Sequence, residues 1–130
     1  MDIDESVHLL IGDESCSGLN ACNWASVGVT VGNKSCNDQE ACLGMENSTV
    51  YSRSCNAVVA CRDVSNSVIG NDSCNGQEAC GHADLVVIDE QSCTGKGACF
   101  NIREFSSVNQ GSCNGDNACK GKSFLLICVD

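Results

Sequence analysis

Ser73-Cys74-Asn75-Gly76-Gln77-Glu78-Ala79-Cys80 is one of six copies of a single frame, Ser-Cys-x5-Cys with Ala before the second cysteine. The other copies begin at Ser15, Ser35, Ser54, Ser92 and Ser112, and the first cysteines recur at steps of 20, 19, 19, 19 and 20 residues. Self-similarity at a fixed short period marks a solenoid or array, in which each unit stacks on its neighbours.

Counted from each first cysteine, position −5 holds Ile11, Val31, Val50, Ile69, Ile88 and Val108. Six β-branched residues in six copies predict a buried core column with strand preference. Position −1 is always Ser, and position +5 is always Ala (Ala21, Ala41, Ala60, Ala79, Ala98, Ala118). Position +1 is Ser17, Asn37, Asn56, Asn75, Thr94 and Asn114, and position +2 is often Gly, which reads as a turn. Position +9 (Ala25, Met45, Val64, Ala83, Ile102, Lys122) is mostly apolar and predicts a second inward column. From the −5 column to the second cysteine is always 11 residues, so the one-residue insertions fall on the opposite side of the coil. Helical periodicity is missing, and the period is too short for helical repeats. The expected fold is all-β: a parallel β-solenoid of about six coils, one per 19–20-residue repeat, right-handed as such crossovers usually are. Residues 1–8 read as an acidic N-terminal extension, and 9–130 as a single solenoid domain. Phe124 to Val129 starts an incomplete seventh coil.

The unit Val/Ile-Gly-x-x-Ser-Cys-x-Gly-x-x-Ala-Cys, clearest at Ile11–Cys22 and Ile69–Cys80, resembles the cysteine-rich β-solenoid repeats of unicellular-algal and related microbial proteins. That resemblance implies the architecture and transfers no activity. The third copy departs from it, with Tyr51 in place of Gly and Ala57-Val58-Val59 in the turn; the fifth has Asp89 in place of the early Gly. The coil is also similar, less closely, to pentapeptide-repeat solenoids, whose five-residue period the 19-residue steps break.

Thirteen cysteines in 130 residues signal disulfide scaffolding in an oxidising compartment. The spacing points to one bridge inside each coil: Cys16–Cys22, Cys36–Cys42, Cys55–Cys61, Cys74–Cys80, Cys93–Cys99 and Cys113–Cys119. Stacked reduced thiols and bridges between adjacent coils are the alternatives. Cys128 is left over as a buried spare or an intermolecular thiol. Cys-x5-Cys matches neither a zinc site nor a Cys-x-x-Cys redox pair, and His8 and His82 are the only histidines, so neither metal nor cofactor is expected.

The charge balance of 7 Lys plus Arg against 17 Asp plus Glu gives −10, which repels nucleic acid and anionic membranes. The longest apolar run, Phe124 to Val129, is too short for membrane insertion. Met1–Glu5 has neither a basic start nor an apolar run, so the disulfides imply a removed export signal and an extracellular or cell-surface site, or maturation in a virion or oxidising organelle. Asn33, Asn47 and Asn71 head glycosylation triplets, two of which fall on the repeat's own Ser. No histidine or carboxylate recurs at a fixed catalytic place, so no catalytic residue is assigned and no enzyme is expected. The expected function is a structural or assembly protein that self-associates end to end. The alternative is a surface-binding module for ice, glycan or mineral on one flat face, its ligand unknown.

Overall fold

A computed structural model describes residues 9–104 and 106–122. Residues 1–8, Phe105 and residues 123–130 lie outside this range, and with them the N-terminal extension, the incomplete seventh coil and Cys128. Six short strands follow in chain order: β1 (Leu9–Ile11), β2 (Val29–Val31), β3 (Thr49–Val50), β4 (Val68–Ile69), β5 (Val86–Ile88) and β6 (Ser106–Val108). They form one parallel sheet in the order β1-β2-β3-β4-β5-β6, each strand pairing with the next coil's copy of itself. The chain is therefore a β-solenoid, with five turns from β1 to β6, and no described residue is helical.

The register is that of the repeat. Ile11 pairs with Val31, Val31 with Val50, Val50 with Ile69, Ile69 with Ile88 and Ile88 with Val108. From Val31 to Val108 this column is at most 2% exposed. Across the thin core lies the second inward column, with Met45, Val64, Ala83 and Ile102 fully buried. The cysteines and the +5 alanines fill the space between, and small side chains suit it because consecutive coils lie only about 4.8 Å apart. Side chains alternate across a strand, so the −6 column points out: Val68 and Val87 are 37% and 49% exposed.

The first one-residue insertion is absorbed as a bulge. Ser26 N–H donates to the Met45 carbonyl as Glu46 does to Val64, and the Val27 carbonyl accepts from Asn47 as that of Glu46 does from Asn66. Two residues, Ser26 and Val27, thus stand opposite Glu46, on the side of the coil away from the cysteines.

The Asn-Gly pattern does mark a turn: in all six copies the +2 carbonyl accepts the +5 amide, as Gly76 does from Ala79, but the left-handed residue of that turn is not the +2 glycine. The +2 glycines Gly18, Gly76, Gly95 and Gly115 are absent from the left-handed region. Gly76 is needed for close approach instead: a Cβ there would lie 2.4 Å from the Gly95 carbonyl oxygen of the next coil. Left-handed residues recur at −2, 0, +4 and +8, and a fifth set, Gly28, Asn47, Asn66, Leu85 and Glu104, falls at +11 or +12. The first cysteine of every repeat is one of them, with φ between 55° and 59°. These corners include Lys34, Arg53, Val59 and Trp24, residues whose Cβ makes this conformation costly.

Candidate functional site

The repeated polar residues are the solenoid's internal fastening. The −1 serines from Ser35 to Ser112 are at most 5% exposed, yet no buried side-chain oxygen or nitrogen among the described residues lacks a partner. Ser54 Oγ accepts the Ser73 N–H at 3.1 Å and donates to the Gly70 carbonyl at 2.7 Å. Ser35 does the same for Ser54 N–H and the Tyr51 carbonyl, and Ser73 for Ser92 N–H and the Asp89 carbonyl. A hydroxyl is suited to this place because it donates and accepts at one atom. A shorter second ladder runs from Ser48 through Ser67 to the Val86 N–H.

At +1 the asparagines staple coils from outside. Asn56 Oδ1 accepts the Asn37 N–H at 3.0 Å while its Nδ2 donates to the Lys34 carbonyl at 2.9 Å. Asn75 repeats this on Asn56 N–H and the Arg53 carbonyl. Asn114 accepts from Thr94 N–H and donates to the Gln91 carbonyl. The left-handed −2 residue turns its carbonyl toward the asparagine, so the costly corner and the staple belong to one device.

All described cysteines are bridged within their own coils: Cys16–Cys22, Cys36–Cys42, Cys55–Cys61, Cys74–Cys80, Cys93–Cys99 and Cys113–Cys119, with Cα–Cα separations of 5.6–5.7 Å. Each sits in a backbone ladder. Cys42 N–H donates back to the Ala21 carbonyl at 2.7 Å, while Cys36 N–H donates forward to the Ser54 carbonyl at 3.0 Å. The bridges therefore cross-link short segments whose stacking is fixed by hydrogen bonds. This many disulfides fits an oxidising environment. Among the described residues no helix is long and apolar enough to cross a membrane.

The glycosylation candidates differ from one another. Asn33 is exposed and accepts the Asp13 N–H, and Asn71 accepts the Ser52 N–H. The hydroxyls of their triplets, Ser35 and Ser73, are held in the buried ladder. Asn47 is exposed and its amide donates to Asn66 at 2.8 Å. His82 lies 3.8 Å from Asp63 and packs edge-on to Phe100, over which Lys120 is placed. Arg53 and Asp72 form a two-bonded pair between coils at 2.8 and 2.9 Å. The Arg53 hydrogen bond holds the Asp72 carboxyl below its usual range, and the same bond raises the Arg53 guanidinium.

The first coil is unlike the rest. Leu9, Leu10 and Ile11 are 40%, 64% and 46% exposed, and Cys16 and Cys22 are half-buried, although the same columns are closed from the second coil onward. Leu19 and Trp24 on the same coil are also largely exposed. The −5 column was legible in the sequence; that one end of it is open was not. The serine ladder was visible as a column without a role, because burial of a hydroxyl arises only when coils stack.

No curated protein and no solved structure matches the chain. A family model matches residues 2–69 and again residues 60–128, two overlapping segments that together take in all six repeats. A disulfide-rich solenoid of this kind is a structural type of protein, and the chain belongs to the family described as Domain of unknown function (DUF7640).

Proposed function

We propose that this chain is an assembly unit: a disulfide-braced solenoid that stacks end to end into filaments or extracellular appendages. The observation that carries the reading is the open first coil, where Ile11 is 46% exposed while its counterparts in the next five coils are at most 2% exposed. Toward a preceding coil, the first coil offers the groups that every later coil uses: the Ile11 and Ser15 carbonyls as acceptors and the Cys22 N–H as donor. In later coils these places are filled as Gly12 N–H to Val31, Cys16 N–H to Ser35 and Cys42 N–H to Ala21. An unpaired strand edge over an apolar cross-section is a template for another chain. The contact joins unlike ends, so it propagates instead of closing into a dimer. The Leu125–Val129 stretch and Cys128, the partner end in this scheme, lie outside the described residues.

A scaffold, and not a catalyst, also fits the use made of the recurring nucleophiles. The −1 serine hydroxyls from Ser15 to Ser92 each accept one hydrogen bond and donate another within the fold, and the described cysteines are bridged. Negative-stain micrographs and sedimentation of the full chain test the reading. Rods longer than one molecule, lost on deleting residues 125–130 or on Ile11→Lys, support it. A monomer at every concentration ends it.

A further inference from the structure

The third repeat's departure from Gly at −4 shapes the outer face. Tyr51 stands there in β3's coil, Gly70 in the next and Asp89 in the one after. Gly70 has no side chain, and its backbone packs so closely that a Cβ would sit 2.8 Å from the Glu90 amide nitrogen. A notch lies over Gly70, lined by Tyr51 on one side and by Asp89 and Glu90 on the other, in coils that stand two strand spacings, about 9–10 Å, apart. This cavity, of about 230 Å³, has Val68 and Val87 in its lining. A second cavity, of about 330 Å³, shares those two valines and runs on toward Leu85 and Ser107. Together they make a trough across β4 and β5 with an aliphatic floor, one aromatic wall and an acidic end. Tyr51, Val87, Asp89 and Glu90 are all exposed. Among the described residues, neither Asp89 nor Glu90 is in a salt bridge; the neighbouring cation, Arg53, is paired with Asp72 and feels Glu90 only through the longer-range charge interaction.

We propose that this trough binds a lysine side chain presented by a basic partner protein, with the methylene stem over Val68 and Val87 and the ammonium between Tyr51 and the Asp89–Glu90 pair. Each part of the trough matches one part of that side chain. A lysine stem covers aliphatic surface while its charged head stays at the rim. An ammonium beside an aromatic ring is attracted by the ring's quadrupole, and two carboxylates outside any contact ion pair add to it. Complementarity extends to the whole molecule, whose −10 charge draws a basic protein toward it before contact. An amino-sugar chain would present an ammonium too, but it lacks the slender methylene stem that the valine floor fits.

The test is amide chemical-shift mapping on the full-length, isotope-labelled protein. The probe is the acetylated and amidated peptide Gly-Gly-Lys-Gly-Gly, with its Nε-acetyl-lysine form as control. Saturable shifts at Gly70, Val87, Asp89 and Glu90, absent with the control, support the proposal. The double variant Asp89→Asn/Glu90→Gln, at two exposed positions, should weaken binding by about fivefold or more. Tyr51→Leu should weaken it by a smaller factor, at unchanged spectra elsewhere. Equal binding of the acetylated peptide overturns it. So do shifts scattered over the whole acidic surface, or a glucosamine oligomer that moves these amides when the lysine peptide does not.

Discussion

Ser54 Oγ accepts the Ser73 N–H one coil away, at 3.1 Å, while donating to the Gly70 carbonyl at 2.7 Å. One buried atom thus satisfies an amide and a carbonyl that the corner turns away from the backbone ladder. Ser54→Ala leaves both without a partner, at a cost of about 1–3 kcal/mol each, less any relief from a water. A loss of about 2–4 kcal/mol in unfolding free energy under non-reducing denaturant is expected. A change under about 0.5 kcal/mol would show that the ladder is incidental.

Ile69 is fully buried in the −5 column between Val50 and Ile88. Ile69→Asp places an unpaired charge there and should cost more than about 4 kcal/mol. Glu78→Lys, at a corner outside the core, should stay within about 1 kcal/mol. Equal shifts in melting temperature for the two would mean that the inward face has been misassigned.

The architecture was legible because burial leaves a compositional trace: Ile and Val at −5 and Ala at +5 are what a 4.8 Å stack tolerates. The cysteine spacing likewise announced pairs six residues apart. The corners were legible in part: the turn from +2 to +5 was, and its left-handed positions were not. Left-handed backbone is normally signalled by Gly or Asn, but here it falls on Cys36, Lys34, Arg53 and Val59, while the glycines at +2 serve close approach. Asn56 and Asn75 read as turn residues because their local hydrogen-bonding habit is the common one; as staples they act on the preceding coil, 22 residues away. The open first coil and the Tyr51 notch have no local signal, since each depends on which neighbour stands above or below.

Val59 is β-branched and sits at φ 49° in the +4 column, where the first and last copies place Asn20 and Asn117. A branched side chain in the left-handed region is strained. Val59→Asn should therefore stabilise the solenoid by about 1 kcal/mol, read as a raised denaturant midpoint. Destabilisation by a similar amount would show that the Val59 contacts outweigh the backbone strain.

Cys16 and Cys22 are half-buried, whereas the cysteines of the other five bridges are at most 3% exposed. Thiol–disulfide exchange needs the attacking thiolate to reach a sulfur. Brief treatment with a limiting dithiol, followed by alkylation and peptide mapping, should label Cys16 and Cys22 first. Initial labelling of Cys74 and Cys80 would contradict the burial order.

The central claim is that each coil carries its own bridge, Cys74 to Cys80 and likewise in the other five, and that no disulfide among these twelve cysteines joins one coil to the next. Non-reducing proteolysis with mass spectrometry of the linked peptides tests it most directly. The account predicts six linkages, each between cysteines six residues apart, with no thiol among these twelve alkylated before reduction. Linkages between successive coils, such as Cys22 to Cys36, or free thiols at these positions would contradict it.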